Sequence, residues 1–283
     1  MKASEKITFL LFVFNEERRI EHMLRCLHGN GKIVVIDNDS VDRTREIAKK
    51  YTDEIYIHKN PGYIENEETM GFALDKVKTE WVYMAAADEL IPRKLMEILH
   101  QVVEQDRYKV VRIYRKNFMY GKEIFNYGKH HVRMYRKGIV SYKKNVVHSL
   151  GNIDAEKSEI YDVPKGNTTS IWHFSSYNTS RLELSHNHYA NLEAEQRYKY
   201  KGQKFSGARA LLKLFYYFFG TYLGMGGFRA GWVGLFISIQ IAYFKFSIEA
   251  RLYEKQNGIT LEGMENNYDA MKERLLKAYY DNG

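Results

Sequence analysis

Residues 7–14 read Ile7-Thr8-Phe9-Leu10-Leu11-Phe12-Val13-Phe14, a nearly unbroken apolar run that ends at Asn15 and Glu16. Such a run is typical of a strand that is buried on both faces of a parallel sheet. The pattern then alternates as helix 17–27, strand 33–36, helix 41–51 and strand 54–58. This alternation predicts an α/β fold with a Rossmann-like, mostly parallel sheet, and it places a ligand at the carboxyl ends of the strands.

The pattern continues along the chain and then changes. Apolar spacing predicts a helix over 69–77, a buried strand over 81–85 and a helix over 92–105 that begins with a proline. Short alternating segments with glycine turns over 109–164 predict an antiparallel, loop-rich part, and helices follow from Asn178. The predicted regions are an α/β half over 1–115, strands and loops over 116–177, and a helical extension over 178–283.

The composition limits the kind of protein and its partners. Hydrophobic residues make up 45% and charged residues 28%, which excludes a disordered chain. Cys26 is the only cysteine, which excludes an internal disulfide and a Cys-rich zinc site. We expect a cytosolic location, because the N-terminus lacks a signal-peptide pattern. The net charge of +8 favours an anionic partner, but no nucleic-acid recognition motif accompanies it, so we expect no nucleic-acid partner.

The second half concentrates aromatic and basic residues in three predicted helices, over 178–201, 206–225 and 230–255. Residues 211–223 and 233–243 are apolar almost all round, yet neither reaches the ~20 apolar residues that cross a bilayer. We expect these helices to lie in the membrane interface, with five side chains toward the lipid headgroups: Arg209, Lys213, Arg229, Lys245 and Arg251. The alternative is a buried helical hairpin that closes the domain.

A polar turn follows the second strand and opens a helix: Asp37-Asn38-Asp39-Ser40-Val41-Asp42-Arg43-Thr44. A carboxylate at the end of such a strand can accept hydrogen bonds from a base or a ribose, and a helix N-terminus favours phosphate. We therefore predict a ligand contact for Asp37. Ser40 and Asp42 are better explained as helix caps.

Two of these segments resemble signatures of glycosyltransferase family 2, which has the GT-A nucleotide-sugar-binding fold. Phe12-Val13-Phe14-Asn15-Glu16-Glu17 is similar to the family's Pro-Thr-Tyr-Asn-Glu-Glu, and residues 36–44 are similar to its Val-Asp-Asp-Gly-Ser-Thr-Asp-x-Thr. In the family both segments cradle the uridine of the donor. The resemblance therefore implies a UDP-sugar donor and the following donor contacts: Val13, Phe14, Glu16, Asp37 and Asn38.

A third segment, Trp81 to Glu89, resembles the family's Trp-Val-Leu-x-Leu-Asp-Ala-Asp-Glu. Its Asp-x-Asp element normally holds a divalent cation on the donor diphosphate, and hard oxygen ligands suit Mn²⁺ or Mg²⁺. Ala86 replaces the first aspartate in this chain, and Asp88 remains. The resemblance thus implies donor contacts from Ala87 and Asp88, and a metal that Asp88 binds weakly.

The second half resembles the subgroup of lipopolysaccharide-core and related glucosyltransferases. Residues 133–138 are similar to its Arg-Leu-Phe-Arg-Arg-Gly, residues 146–148 to its Val-His-Glu, and Trp172 to Tyr177 also matches. The resemblance therefore covers most of the chain.

A second departure affects the general base. Ser149 stands where the subgroup has the glutamate expected to deprotonate the acceptor. Serine cannot take that proton unaided, so we predict His148 as the base, or as a metal ligand that completes the Asp88 site. The alternatives for the base are Glu89, Asp154 and Glu156.

Basic and histidine-rich positions complete the candidate site. We expect Arg133 and Arg136 to hold a diphosphate or a phosphorylated acceptor, with a solvated basic strand edge as the alternative. His130-His131 and His186-x-His188 do not predict a zinc site, because histidines two apart on a helix point in different directions.

Together these features predict an inverting transferase that moves a hexose from a UDP-sugar to a hydroxyl of a surface or lipid-linked glycan. In this prediction residues 1–115 bind the donor, 116–177 face the acceptor, and 178–283 dock peripherally on the inner face of the cell membrane. The alternative is a catalytically weakened or inactive protein of the same fold that serves as binding partner or scaffold for an active transferase. Ala86 and Ser149 motivate that alternative.

Overall fold

The structure is a computed structural model that describes residues 2–61, 66–124, 130–143, 151–175 and 177–279. Its helices are α1 (Ala3–Lys6), α2 (Ile20–Leu27), α3 (Thr44–Ala48), α4 (Glu67–Lys76), α5 (Arg93–Gln105), α6 (Thr179–Lys201), α7 (Gly207–Phe219), α8 (Trp232–Gln256) and α9 (Leu261–Tyr279). Its strands are β1 (Ile7–Val13), β2 (Lys32–Asp37), β3 (Ile55–Ile57), β4 (Trp81–Ala85), β5 (Glu89–Leu90), β6 (Val110–Met119), β7 (Lys122–Glu123), β8 (His130–Arg136), β9 (Val140–Ser141), β10 (Asn152–Ile153), β11 (Ile160–Asp162) and β12 (Ile171–Phe174).

One large sheet organises the described part of the chain, with the main order β3-β2-β1-β4-β8-β6-β12-β5. β1 pairs in parallel with β2 and with β4, and β3 extends the parallel part beyond β2. β8 then runs antiparallel between β4 and β6, and β12 pairs in parallel with the second half of β6. The predicted parallel core is confirmed over β1 to β4, and the remaining sheet is mixed.

β1 occupies the centre of the parallel part because its side chains are apolar on both faces. Phe9 and Leu11 join one core, which α2 and α5 cover, and Leu10 joins the other, which α4 covers. The register sets Val13 opposite Asp37 and Leu11 opposite Ala85. The carboxyl ends of β1, β2 and β4 therefore meet at one edge of the sheet, as predicted.

The segment over 109–164 differs from the antiparallel prediction. β6 runs antiparallel to β8 but parallel to both β11 and β12, because the chain crosses back before each of these strands. The first half of β6 pairs with β8 and the second half with β12. The predicted boundary between 115 and 116 therefore falls inside this strand.

Three long helices follow the sheet close to their predicted bounds. Asn178 and Ser206 precede α6 and α7, and each side chain accepts a backbone N–H of the first turn. Gly234 allows α8 to pass close to the chain that precedes it, since a Cβ at this position would overlap the carbonyl oxygen of Gly227. A fourth helix, α9, lies beyond the predicted helices.

Neighbouring helices hold four of the five basic side chains that we expected to face lipid headgroups: Arg209, Lys213, Lys245 and Arg251. Arg209 Nε and Lys213 Nζ donate to the buried Glu249 carboxylate at 2.8 and 2.7 Å. Lys245 Nζ lies 3.5 Å from the buried carboxylate of Glu193, and Arg251 donates to Asn187 and Asn191 of α6. The prediction is wrong for these four, because buried carboxylates bind Arg209, Lys213 and Lys245, and exposed amides of α6 bind Arg251.

An apolar surface nevertheless remains exposed on these helices. It consists of Leu211, Leu212, Phe215, Tyr216, Phe219 and Leu223 on and just after α7, and Trp232, Phe236, Ile239 and Tyr243 on α8, and we term it the α7–α8 face. Among the described helices, α8 alone is long and apolar enough to cross a membrane, and half of its most apolar stretch is packed inside the protein. The helical hairpin is therefore buried on one side and open on the other.

Candidate active site

The turns that follow β1 and β2 are bonded to each other. The Asn15 backbone N–H donates to Ser40 Oγ at 2.9 Å, and the Glu16 N–H donates to Thr44 Oγ1 at 2.7 Å. In return, the Val41 N–H donates to Asn15 Oδ1 at 2.9 Å. Asn15 adopts a left-handed backbone with φ of 52°, which asparagine tolerates better than most residues. These bonds hold the ends of the two strands together.

Asp37 shapes the second turn from within. Its carboxylate accepts the Ser40 N–H at 2.9 Å and the Ser40 hydroxyl at 2.5 Å, and it lies 3.6 Å from Arg45 Nε. The residue is completely buried. In the structure both Asp37 oxygens are thus engaged within the turn, and the predicted ligand contact of Asp37 stays a prediction.

The next residues of the turn are more open. The Asn38 side chain donates to the Asn60 carbonyl at 2.8 Å and accepts the Asn60 N–H, and its own N–H donates to the carbonyl of the buried Val13. Asp39 has a φ of 62° at the position where the family signature has glycine, and its carboxylate pairs with Lys59 at 2.9 Å. The half-buried Asn38 therefore lies beside the end of β1, and its predicted donor contact stays a prediction.

Asp88 lies just beyond β4 and contacts side chains from two other parts of the chain. His173 Nε2 of β12 is 3.3 Å from Asp88 Oδ2, and Arg19 Nη1 at the start of α2 is 3.8 Å away. The same guanidinium makes two bonds to Glu16, with Nη2 to Oε1 at 2.5 Å. The predicted residues Glu16 and Asp88 are thus brought together through Arg19, a residue for which no role was predicted.

His173 is oriented by a partner on its far side. The ring nitrogen Nδ1 lies 2.7 Å from Asn117 Oδ1 on β6. An amide oxygen only accepts, so this contact suits a donor at Nδ1 and directs Nε2 toward Asp88. A histidine fixed in this way by a neighbour is the usual arrangement of a metal ligand.

Burial and charge act in opposite directions on the two carboxylates. Burial favours the neutral acid of Asp88, but the hydrogen bond and charge of His173 and the charge of Arg19 outweigh it, so the pKa of Asp88 is lowered. Burial is the dominant influence on Glu16 and raises its pKa, although the bonds to Arg19 oppose the rise. Asp88 is therefore the group that stays ionised and can attract a cation.

Glu89 points away from this pair and into the sheet. Its carboxylate is completely buried, it bonds to Arg133 Nη2, and it lies 3.7 Å from Arg115 Nη1. The two guanidiniums compensate the charge of this buried carboxylate. The structure thus joins Glu89 and Arg133 as an ion pair, and their predicted roles in catalysis and phosphate binding stay predictions.

His131 adjoins the same arginines from β8. Burial, together with the charges of Arg115 and Arg133, lowers the pKa of His131 to about 4. The ring is therefore neutral at physiological pH and too weak a base to accept a proton efficiently from a hydroxyl.

Arg136 lies at the opposite end of the sheet. It pairs with Trp81, the first residue of β4, and its guanidinium binds Asp106 and the carbonyl of Tyr108. The carboxyl end of β4, where Asp88 follows, is four residues away, or roughly 13 Å along the strand. The structure thus separates Arg136 from the end of β4 that leads to Asp88.

The described residues contain no group of three His, Cys, Asp or Glu side chains that could by themselves enclose a metal ion. Asp88 and His173 form a pair of potential ligands. Ala87 is buried and Ala86 is half-buried, so neither adds a ligand. His148 and Ser149 lie outside the described residues, which leaves the predicted roles of His148 as predictions.

Three residues of this site were missed by the sequence analysis: Arg19, Asn117 and His173. His173 falls in the Trp172-to-Tyr177 segment that resembles the family, so a signal existed without a role attached to it. Arg19 and Asn117 gave no local signal, because only the folded sheet brings them beside Asp88 and His173.

Comparisons with known proteins identify the family of this chain. The chain matches the model of "Glycosyl transferase family 2" over residues 8–152. It is 25% identical to "Lipopolysaccharide core biosynthesis glycosyltransferase LpsC" of Rhizobium meliloti, over 88% of this chain and 92% of that protein. It is 24% identical to an uncharacterized glycosyltransferase of Rickettsia typhi, over 88% of this chain and 87% of that protein. The mannosyltransferase PcManGT from Pyrobaculum calidifontis, solved with GDP-Man and Mn²⁺, is 11% identical with a TM-score of 0.47, over 87% of this chain and 86% of that chain.

Proposed function

This chain belongs to glycosyl transferase family 2, and from that premise we propose that it moves a hexose from a UDP-sugar to a hydroxyl of a surface or lipid-linked glycan, with inversion. The name of the Rhizobium relative, a lipopolysaccharide core biosynthesis glycosyltransferase, supports a glycan acceptor. The subgroup resemblance of the second half supports the same class of acceptor.

One observation carries the proposal: the carboxyl ends of β1 and β4 are joined through Glu16, Arg19 and Asp88. The end of β2 is tied to the same place by the bonds of Asn15 and Glu16. A nucleotide diphosphate placed at this edge meets a guanidinium and an ionised carboxylate together. We assign Arg19 to the diphosphate and Asn38 with Phe14 to the nucleoside side of the cleft.

We propose that Asp88 and His173 hold Mn²⁺, with diphosphate oxygens and water completing the shell. An imidazole ligand favours Mn²⁺ over Mg²⁺, which prefers oxygen ligands. When bound, this ion would neutralise negative charge on the departing nucleotide. Asn117 positions His173 as a metal ligand. Asp88 Oδ2 lies near both Arg19 and His173 in the structure. Arg19 must therefore move away from this oxygen, at least in part, when the metal binds.

We propose His148 as the general base. Glu89 is committed to two arginines, and His131 is a weak base. We assign Glu89 a structural role. Its carboxylate holds Arg115 and Arg133 in place beneath the site, and these contacts fix β5, which follows Asp88.

The test is a thermal-shift and turnover screen of UDP-hexoses with and without Mn²⁺. A donor that binds only the folded protein raises its melting temperature. We expect that rise to need Mn²⁺ and to vanish in Asp88→Asn, with UDP release falling by roughly 10²–10³-fold. Asp106→Asn is the matched control, because Asp106 also pairs with an arginine but lies at the far end of the sheet.

Two outcomes would count against this proposal. Binding of UDP-sugars without transfer to any acceptor would favour the scaffold alternative. Unchanged donor binding and turnover in Asp88→Asn would remove the assigned metal site.

We also propose that the α7–α8 face rests on the cytoplasmic surface of the membrane. Its side chains are mostly aromatic or leucine, which suits the headgroup level of a bilayer. The exposed part of α7, from Leu211 to Phe219, covers about 12 Å, since each residue rises 1.5 Å, and this is shorter than a bilayer core. Arg229 lies in the turn between the two helices, exposed and 5.7 Å from the ring of Phe228, where it can meet a headgroup phosphate.

Vesicle flotation tests this placement. Leu212→Asp combined with Trp232→Asp should lower the floated fraction at least tenfold, because two charges would enter the apolar layer. Leu275→Asp on α9 is the control, as an equally apolar exposed side chain on another surface. Unchanged flotation of the double variant would exclude this face as the contact.

A further inference from the structure

Helix α9 carries an apolar stripe along its exposed surface. None of its side chains from Leu261 to Tyr279 is buried. The stripe consists of Leu261, Met264, Tyr268, Met271, Leu275 and Ala278, and we term it the α9 stripe. Tyr268 is 58% exposed and Leu275 is 50% exposed, so the large members face solvent.

The spacing of the α9 stripe is that of a helix pair. Its members alternate between three and four residues apart, which is the a and d pattern of a seven-residue repeat. Such a seam is narrower than the face by which a helix packs onto a globular core. The pattern therefore indicates another helix as the partner.

We propose that α9 pairs with α9 of a second copy of this chain, and that the two helices run antiparallel. Glu265 and Lys272 lie on the same edge of the stripe, one repeat apart. In an antiparallel pair this edge meets its own copy, so each Glu265 faces Lys272 of the other chain, twice by symmetry. In a parallel pair the flanking positions would bring together Asn267 with Lys272 and Arg274 with Tyr279, without any opposite charges.

The charge of α9 distinguishes this partner from a lipid surface. The helix has four acidic side chains, Glu262, Glu265, Asp269 and Glu273, against three basic ones, Lys272, Arg274 and Lys277. Helices that bind anionic lipid carry a basic excess instead.

The association should be weak and dependent on concentration. The stripe spans fewer than three repeats, and helices of this length gain little stability alone. Lys272 Nζ bonds Asp269 within its own helix at 2.7 Å, but both side chains are well exposed. An exposed ion pair of this kind contributes little to stability. Lys272 can therefore exchange Asp269 for Glu265 of the second copy.

Sedimentation equilibrium of the full-length protein tests the proposal, in a mild detergent that covers the α7–α8 face. We expect a monomer–dimer equilibrium whose dissociation constant rises at least about tenfold in Leu275→Asp. Leu276→Asp is the matched control, because Leu276 is 45% exposed and adjacent but lies off the stripe. It should change the constant by less than about threefold.

A charge exchange tests the antiparallel arrangement. Glu265→Lys and Lys272→Glu should each weaken the dimer, because like charges then face each other, and the double variant should restore it. A monomer at all concentrations, or equal effects of the two leucine variants, would overturn the proposal. Loss of vesicle flotation in Leu275→Asp without any dimer would show that lipid is the partner and overturn it as well.

This inference does not rest on the transferase activity. UDP release per chain should be unchanged in Leu275→Asp, since α9 supplies no residue of the site. A failure of pairing and a failure of transfer can therefore be told apart.

Discussion

Two buried glutamates hold this protein together in different regions, and each is paired with two cations. In the sheet, Glu89 binds Arg133 and approaches Arg115. Among the helices, Glu249 binds Arg209 and Lys213. Both carboxylates are completely shielded from solvent. The two clusters are alike in chemistry and burial, yet only the first lies next to residues that could bind a ligand.

The difference lies in what stands next to each cluster. Beside Glu89 are Asp88 and His173, at the carboxyl edge of parallel strands. The cluster around Glu249 lies between helices, on the inner side of the α7–α8 face. A buried ion pair therefore does not mark a functional site by itself, and its position relative to the strand ends does.

Removing either carboxylate gives the largest expected effects and tests whether the clusters differ in role. Glu89→Gln leaves two buried guanidiniums poorly compensated and should lower the free energy of unfolding by about 3–5 kcal/mol. Glu249→Gln should lower it by about 3 kcal/mol, less because Arg209 is 37% exposed. Denaturant unfolding measures both.

The activities of the two variants should diverge. At a temperature where both are folded, UDP release should fall by about 10²-fold in Glu89→Gln, because Asp88 loses its fixed position. Glu249→Gln should retain wild-type turnover. Equal losses of activity would mean that the helical cluster also positions the site, and the comparison would fail.

A glycine in the helical region gives the next largest effect. Gly234→Ala places a methyl group against the backbone carbonyl of Gly227, which cannot turn aside as a side chain can. We expect a loss of about 3 kcal/mol in unfolding free energy, at the upper end for overpacking. Gly224→Ala is the control, because an added Cβ there meets no atom within 4 Å. A tolerated Gly234→Ala would show that α8 can shift, and that the helical region is looser than the sheet.

The sheet region could be predicted from the sequence because its signals are local. The strand over 81–85 agrees with its predicted bounds, and the apolar run of β1 correctly indicated a central strand. Asn178 and Ser206 were correctly placed at the starts of α6 and α7. The GT-A fold predicted from the motifs is likewise the fold of this chain.

The ion pairs of the two charge clusters could not be predicted from the sequence, because their members are far apart in the chain. Arg209 and Glu249 are 40 residues apart, and Arg133 and Glu89 are 44 apart. Periodicity shows which face of a helix is apolar, but it does not show which distant carboxylate a lysine will meet. For this reason Arg209 and Lys213 were assigned to lipid, and Arg133 to phosphate.

The acid stability of the sheet region provides a smaller test. His131 has an ordinary pKa near 6.5 when unfolded and about 4 when folded, so below pH 6.5 the unfolded chain binds a proton that the folded chain refuses. Stability should therefore fall between about pH 6.5 and pH 4, by roughly 2 kcal/mol after allowing for the partial exposure of the ring. In His131→Asn this component should disappear. Parallel stability curves for the two proteins would show that His131 is not held among the arginines.

The smallest expected effect concerns the junction of β1 and β2. Asn15→Gly keeps the left-handed backbone but removes the bond from the Val41 N–H, and should cost about 1 kcal/mol. Asn15→Ala also forces a Cβ into that conformation and should cost about 2 kcal/mol. Unfolding midpoints of the two variants measure the difference between them. If glycine and alanine cost the same, the backbone at this junction is free to relax. The strand ends would then be held mainly by the Asp88 side of the site, and the sheet region would depend on distant contacts as much as the helices do.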